Sequence, residues 1–301
     1  MKSIAEIMRS AAASGIPAPA FNVPYLPMVE PVIRAVVDQD AFALVEVARL
    51  EWVKFEARGL AQVIREFQRW DKPDHVRLHL DHVPVIDEDN CRVDYLAIIS
   101  EALALGYTSV MVDGSRLALE DNIAATWQVA ELAHAAGAPC EAELGAVWGH
   151  EAGPLPPYEE LFVSGKGFTD VDQARRFVDE SGCDWLSVAI GNIHGAISGA
   201  QKDQKKVTAR LNLDHLARLR AATGVPLVLH GGSGIPQDNV LAACGRGIAK
   251  INIGTDIRQP YEATLRATDS VARAQEAAYA RTCAVLRDNL HVNGRRRTLV
   301  G

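Results

Sequence analysis

Three histidines stand at or just past the ends of short apolar runs, in company that suits metal-assisted chemistry. His82 closes His79-Leu80-Asp81-His82, His194 lies in Gly191-Asn192-Ile193-His194-Gly195, and His230 opens His230-Gly231-Gly232-Ser233-Gly234. Three imidazoles with an open fourth position are the ligand set of a catalytic zinc ion. Such an ion acts as a Lewis acid, polarising a carbonyl and stabilising an enediolate. Asp81, beside His82, predicts a proton donor and acceptor. The rival role is that of a carboxylate that only orients a histidine. His79 alternates with Asp81 along its run and is the fourth-choice ligand, whereas His75, His134, His150, His215 and His291 fall on helical or loop surface. Ser233 and its glycines, with Asn252 and Thr255 one run later, have the composition of a phosphate cradle. Glycines let backbone N–H groups approach an anion, and hydroxyls add donors. A Gly-Gly-Ser-Gly by itself is an ordinary turn; its placement gives it meaning.

Residues so far apart in sequence converge only if the runs that carry them share one end. The predicted strands are Ala20–Val23, Ala43–Val47, Val76–Asp81, Ser109–Asp113, Cys140–Leu144, Trp185–Ile190, Pro226–His230 and Lys250–Ile253. Between them, helical spacing predicts Met28–Gln39, Lys54–Trp70, Val93–Leu105, Glu120–Ala136, Asp172–Glu180 and Leu213–Arg220. Strands alternating with helices imply a parallel sheet, and eight of them close a (β/α)8 TIM barrel. In that fold the strand ends meet on one face, and phosphate commonly sits after the seventh and eighth strands. Two long connections, Ala146–Thr169 and Gly195–Ala209, suit active-site loops, with tolerated surface insertions as the plainer alternative. One domain over residues 1–301 is the simplest organisation, with a C-terminal helical extension from about residue 258.

Composition narrows the class. Of 301 residues, 48% are apolar and 23% charged, as in an ordinary globular protein. No apolar run approaches the roughly 20 residues that span a bilayer. The opening Met1-Lys2-Ser3-Ile4-Ala5-Glu6 predicts an amphipathic helix rather than a signal peptide. Five scattered cysteines without a C-x-x-C pair suit reduced thiols in a cytoplasmic protein and disfavour a cysteine-built metal site. A net charge of −7 argues against nucleic acid as partner, and Arg295-Arg296-Arg297 predicts a solvated tail.

The segments LHLDH, SVMVDGS, EAELG, VAIGNIHG, PLVLHGGSG and AKINIGTDIR together resemble the class II fructose-bisphosphate and tagatose-bisphosphate aldolases. The likeness runs from Ala20-Phe21-Asn22-Val23 to Thr255-Asp256-Ile257-Arg258, about four fifths of the chain. It implies zinc held by His82, His194 and His230, with Asp81 exchanging the proton of the hydroxyl at the cleaved bond. Glu151 resembles the family's base for the dihydroxyacetone phosphate carbon. Asp113 and Glu143 resemble the buried acids that orient the ligands or hold displaced metal. Asn22, Gly195, Gly231, Ser233, Asn252 and Thr255 resemble the positions that bind substrate, phosphate and, in many members, a monovalent cation (Na⁺ or K⁺). A sugar phosphate substrate and a homodimer or homotetramer are further implications.

Departures concentrate in the aldehyde half. Val83 stands where the family usually has glycine, and Trp148-Gly149-His150-Glu151 carries a single acid rather than a pair. Ser198 replaces a common lysine, Gly254 an acid of many fructose-type members, and Glu46 and Ala48 replace Gln and Ser, with Arg49 adjacent. A carboxylate at Glu46 near a second phosphate would repel it. The expectation is therefore good use of dihydroxyacetone phosphate without a clear preference for glyceraldehyde 3-phosphate. An aldolase for an unphosphorylated or otherwise acidic aldehyde, a zinc- and phosphate-binding barrel without turnover, and a zinc hydrolase are the alternatives.

Overall fold

The eight apolar runs form parallel strands that close on themselves in sequence order: β1 (Ala18–Asn22), β2 (Ala43–Ala48), β3 (Val76–Pro84), β4 (Ser109–Asp113), β5 (Cys140–Leu144), β6 (Trp185–Val188), β7 (Leu227–Leu229) and β8 (Ile248–Ile253). The computed structural model describes residues 2–145, 157–192, 209–232 and 234–301. β1 pairs with both β2 and β8, so the TIM barrel expected from the sequence has no edge strand.

Helices α1 (Ile4–Ser14), α2 (Val29–Asp38), α3 (Arg49–Val53), α4 (Leu60–Trp70), α5 (Tyr95–Leu105), α6 (Leu119–Ala135) and α7 (Tyr158–Ser164) precede β6. They are joined by α8 (Val171–Ser181), α9 (Leu213–Thr223), α10 (Gln237–Cys244), α11 (Thr255–Thr268), α12 (Val271–Ala284) and α13 (Arg296–Val300). The helix predicted over Lys54–Trp70 starts only at Leu60. Arg58 and Gly59 both take positive φ, 63° and 87°, which interrupts helical backbone.

Alternation along the strands sorts side chains into two sets. Phe21, Val45, Leu78, Val110, Ala142, Leu186, Leu229 and Ile251 join the core under the helices. The intervening residues face the barrel axis. At its lower end these are apolar (Ala18, Ala20, Leu44, Trp185, Val228), and α1 and α13 seal that end with Ile7, Met8, Leu299 and Val300. The C-terminal arginines are thus not a free tail. Leu299 and Val300 are buried, and Arg296 Nε is 2.8 Å from Asp40 Oδ1, so the segment is docked, although Arg295 and Arg297 stay exposed. Further up, the axis turns polar, with Glu46, His79, Asp81, Glu141, Ser187 and Lys250 all buried.

β3 carries the irregularity that shapes the site. Leu80 pairs with Val110 but Val83 pairs with Val112, so β3 has one extra residue across this step. Leu80 and Val83 both belong to the outer core, which leaves Asp81 and His82 together between them. His82 has φ +26°, outside ordinary strand geometry.

Candidate active site

The strands' C-terminal ends surround a cavity of about 740 Å³. Asp81, His82, Asp113, Glu143 and His230 all line it, brought together from β3, β4, β5 and the residue after β7. Ligand atoms of Asp81, His82 and His230 lie within 4.8 Å of one another, as do those of His82, Asp113 and Glu143. The two imidazole rings are edge-on, with centroids 4.5 Å apart.

Each imidazole is braced by a carboxylate on one nitrogen. His82 Nδ1 is 3.1 Å from Asp113 Oδ2, and its Nε2 lies 4.0 Å from Glu143 Oε2. His230 Nε2 is 2.9 Å from Glu141 Oε1. Its Nδ1 is 3.2 Å from Glu143 Oε2 yet makes no well-directed hydrogen bond, although it is buried. Asn192 holds the main chain here, accepting from the Ile190 N–H and donating to the His230 carbonyl, both at 2.8 Å. Burial by itself would lower both imidazole pKa values. The charge of Asp81, the Asp113 hydrogen bond and Glu143 outweigh it and raise His82 to about 9. Glu141 and Glu143 likewise raise His230 to about 10. So much negative charge around two rings is an environment built for a cation.

Asp81 is held at both oxygens. Asn22 Nδ2 donates to Oδ2 and Asn252 Nδ2 to Oδ1, each at 2.9 Å. Burial opposes its ionisation, but the charges of His82 and Lys250 hold the carboxyl well below the usual range. Asn252 Oδ1, also buried, has no hydrogen-bond partner among the described residues.

A second polar layer lies beneath. Lys250 Nζ is 2.9 Å from Glu141 Oε2, 3.1 Å from Glu46 Oε2 and 3.8 Å from Asp81 Oδ1. Three carboxylates exceed what one ammonium balances. Burial and the Asp81 charge push the Glu46 carboxyl up, against the pull of Lys250. This corrects the expectation for Glu46: it faces the barrel axis, pairs with Lys250 and does not line the cavity. His79 shares the axial face with Asp81, as their alternation predicts. Its Nδ1 is 2.8 Å from Ser109 Oγ, and burial with the nearby Lys250 charge lowers its pKa to about 3. His79 does share a cluster with Glu46 and Asp81, but Lys250 already supplies the cation. Lys250 and Glu141 stand in predicted strands but were given no role from the sequence; the signal was a charged residue two positions before a site residue on the same strand, Asn252 or Glu143.

Gly231, Gly232, Gly234, Gly254 and Thr255 line the same cavity, and α11 begins there, so a helix N-terminus faces the glycine turn expected to hold phosphate. Arg49 and Glu51, just past β2, line the cavity as well. Arg49 Nη1 is 3.4 Å from Asp87 Oδ2, and Arg116, also at the cavity, donates to the Asp87 carbonyl at 2.9 Å. Glu51 accepts the Ala48 N–H at 2.8 Å, but burial pushes its carboxyl up to about 8. Gly145, with φ +99°, is the last described residue after β5, and Gly191, with φ +111°, is the last but one after β6. A Cβ on Gly191 would collide with the Arg210 carbonyl and the Phe162 ring.

Glu151, His194, Gly195 and Ser233 lie outside the described residues, as do His150 and Ser198. The remaining histidines bond elsewhere: His75 to Ala41, His134 to Asp184, His215 to Thr169 and His291 to Gln237.

Fold and site together define a TIM barrel whose C-terminal mouth gathers imidazoles and carboxylates into a cluster that could hold a metal ion. A family model described as fructose-bisphosphate aldolase class-II matches residues 2–294, and the chain belongs to that family. It is 38% identical over 206 residues to a fructose-bisphosphate aldolase of Streptococcus pyogenes, covering 68% of this chain and 61% of the relative. It is also 38% identical over 191 residues to a 6-phospho-5-dehydro-2-deoxy-D-gluconate aldolase of Halalkalibacterium halodurans, covering 64% and 57%. The chain thus spans about three fifths of the length of these curated relatives. Among solved structures it resembles the YdjI aldolase of Escherichia coli, with TM-score 0.77, 27% identity and 98% of each chain covered. Among the described residues, no helix is long and apolar enough to cross a membrane.

Proposed function

We propose that this chain is a metal-dependent aldolase that reversibly cleaves a phosphorylated ketose into dihydroxyacetone phosphate and an aldehyde. The observation that carries this is the convergence of His82 and His230, each braced by a carboxylate, beside the doubly held Asp81 and a glycine turn facing a helix N-terminus.

Zinc fits the donor set. His230 presents a buried Nδ1 that makes no well-directed hydrogen bond among the described residues, and rings braced by carboxylates match the carboxylate–histidine–metal arrangement. His82 and His230 would hold the ion, with His194 as third ligand and Asp113 and Glu143 around them. When bound, it supplies Lewis acidity toward a substrate carbonyl. Asp81 accepts the proton from the hydroxyl oxygen at the cleaved bond and returns it in condensation, a task that suits a carboxylate held ionised and fixed by two amides. Glu151 moves the proton at the dihydroxyacetone phosphate carbon. Gly195, Gly231, Ser233 and Thr255 hold the phosphate, and Asn22 and Asn252 orient Asp81 and the substrate oxygens. The unpaired Asn252 Oδ1 suits a substrate hydroxyl or a monovalent cation.

Relatives of equal identity act, by their names, on different substrates, so identity does not select the aldehyde. An aldehyde with an anionic end is favoured by Arg49 and Arg116 at the cavity. Incubation of the zinc-loaded protein with dihydroxyacetone phosphate and a panel of aldehydes, with products identified by mass, tests the proposal. Absence of any condensation product would contradict it.

A further inference from the structure

One buried cation lies directly beneath the site and moves no proton in this scheme. Lys250 is 0% exposed, on a strand whose outward neighbours Ile251 and Ile253 are ordinary core. Lysine is almost never fully buried without partners, because desolvating an ammonium is costly. Apolar side chains such as Ala20, Leu44 and Val228 fill the rest of the axis towards its lower end, so volume alone does not call for a charge. Its position is specific. The ammonium reaches Asp81 at 3.8 Å and Glu141 at 2.9 Å, and Glu141 in turn holds His230 Nε2 at 2.9 Å. Glu141 is fully engaged: Oε1 takes His230, while Oε2 takes Lys250 and the Trp185 indole N–H at 2.6 Å. With its partner nitrogen tied down, the His230 ring can only turn Nδ1 towards the mouth.

We propose that Lys250 is a positioning residue, whose ammonium fixes the Asp81 carboxylate directly and the His230 ring through Glu141. The Asp81 arm rests on the aldolase reading; the His230 arm concerns metal affinity and stands without it.

Removing the charge while keeping the volume tests this. Lys250→Met is made alone and together with Glu46→Gln, since the double variant avoids a surplus of buried carboxylate if the single one folds poorly. Metal dissociation constants are measured on folded protein by competition with a chromophoric chelator, and cleavage kinetics on the metal-loaded form. The expected result is metal binding weaker by about ten- to a hundredfold, the scale of lost outer-sphere partners, with kcat reduced and KM little changed. In Lys250→Ala, propylammonium should restore affinity and turnover saturably, whereas propanol of the same shape should not. Wild-type metal affinity in folded Lys250→Met, or equal rescue by propanol and propylammonium, would overturn the proposal. If the wild-type protein cleaves no ketose phosphate, the aldolase reading fails, and the metal measurement still decides the role of Lys250.

Discussion

Asp81 and His82 are sequence neighbours that face one cavity, an arrangement no regular strand allows. Consecutive strand residues point to opposite faces, so with Asp81 on the axis side His82 should join Leu80 in the outer core. The extra residue in β3 and the positive φ of His82 turn it to the mouth instead. Such a backbone costs on the order of 1–3 kcal/mol and persists only where the surroundings fix it, here through Asp113.

The ligand assignment makes one prediction. His230→Ala, His82→Ala and His194→Ala should each lose most bound zinc and nearly all activity, while Asp113→Asn should weaken binding about ten- to a hundredfold. His134→Ala, whose ring pairs with Asp184, should bind zinc normally. Metal analysis after dialysis provides the check.

The two carboxylates should separate by chemistry. Asp81→Asn should retain zinc and lose roughly 10²–10⁴ in turnover, yet still support hydrogen exchange at the dihydroxyacetone phosphate carbon. Glu151→Gln should abolish that exchange even without aldehyde. Loss of zinc in Asp81→Asn would make Asp81 a structural carboxylate, and equal loss of exchange in both variants would remove the division of labour.

Glu51 predicts a pH effect on stability. Its folded pKa, about 8, lies above the ordinary 4.5, so the folded state binds the proton more tightly than the unfolded chain does. The stabilisation is complete below about pH 4.5 and is lost as pH rises through about 8. Gln at this position keeps an acceptor for the Ala48 N–H and cannot ionise. Glu51→Gln should therefore gain stability relative to wild type from pH 5 to pH 9, measured by urea denaturation; a pH-independent difference would contradict the buried-acid account.

Much of this was legible in the sequence. Strand-end motifs placed Asp81, His82, Asp113, Glu143 and His230 around one mouth, because parallel strands with helical crossovers leave few other arrangements. Two things were not. The bulge that lets Asp81 and His82 act together is a register shift, visible only once β3 is paired with β4. Glu46 seemed to guard the aldehyde end because its partner Lys250, some two hundred positions away, had not been placed on the same axis.

That correction changes the substrate expectation. With Glu46 paired to Lys250 inside the barrel and Arg49 at the cavity, anionic aldehydes should be tolerated. Arg49→Met should lower kcat/KM about tenfold or more for aldehydes ending in phosphate or carboxylate and leave glyceraldehyde little affected. A uniform loss across the panel would show that Arg49 only supports the Asp87 loop.

The most direct measurement follows the dihydroxyacetone phosphate carbon by NMR in deuterated water, with protein stripped of metal by a chelator and then reloaded with zinc. Stereospecific exchange of one hydrogen should appear with zinc, vanish after chelation and return on reloading. Exchange that persists in the stripped protein, or that never appears in the loaded one, would contradict a metal-dependent aldolase.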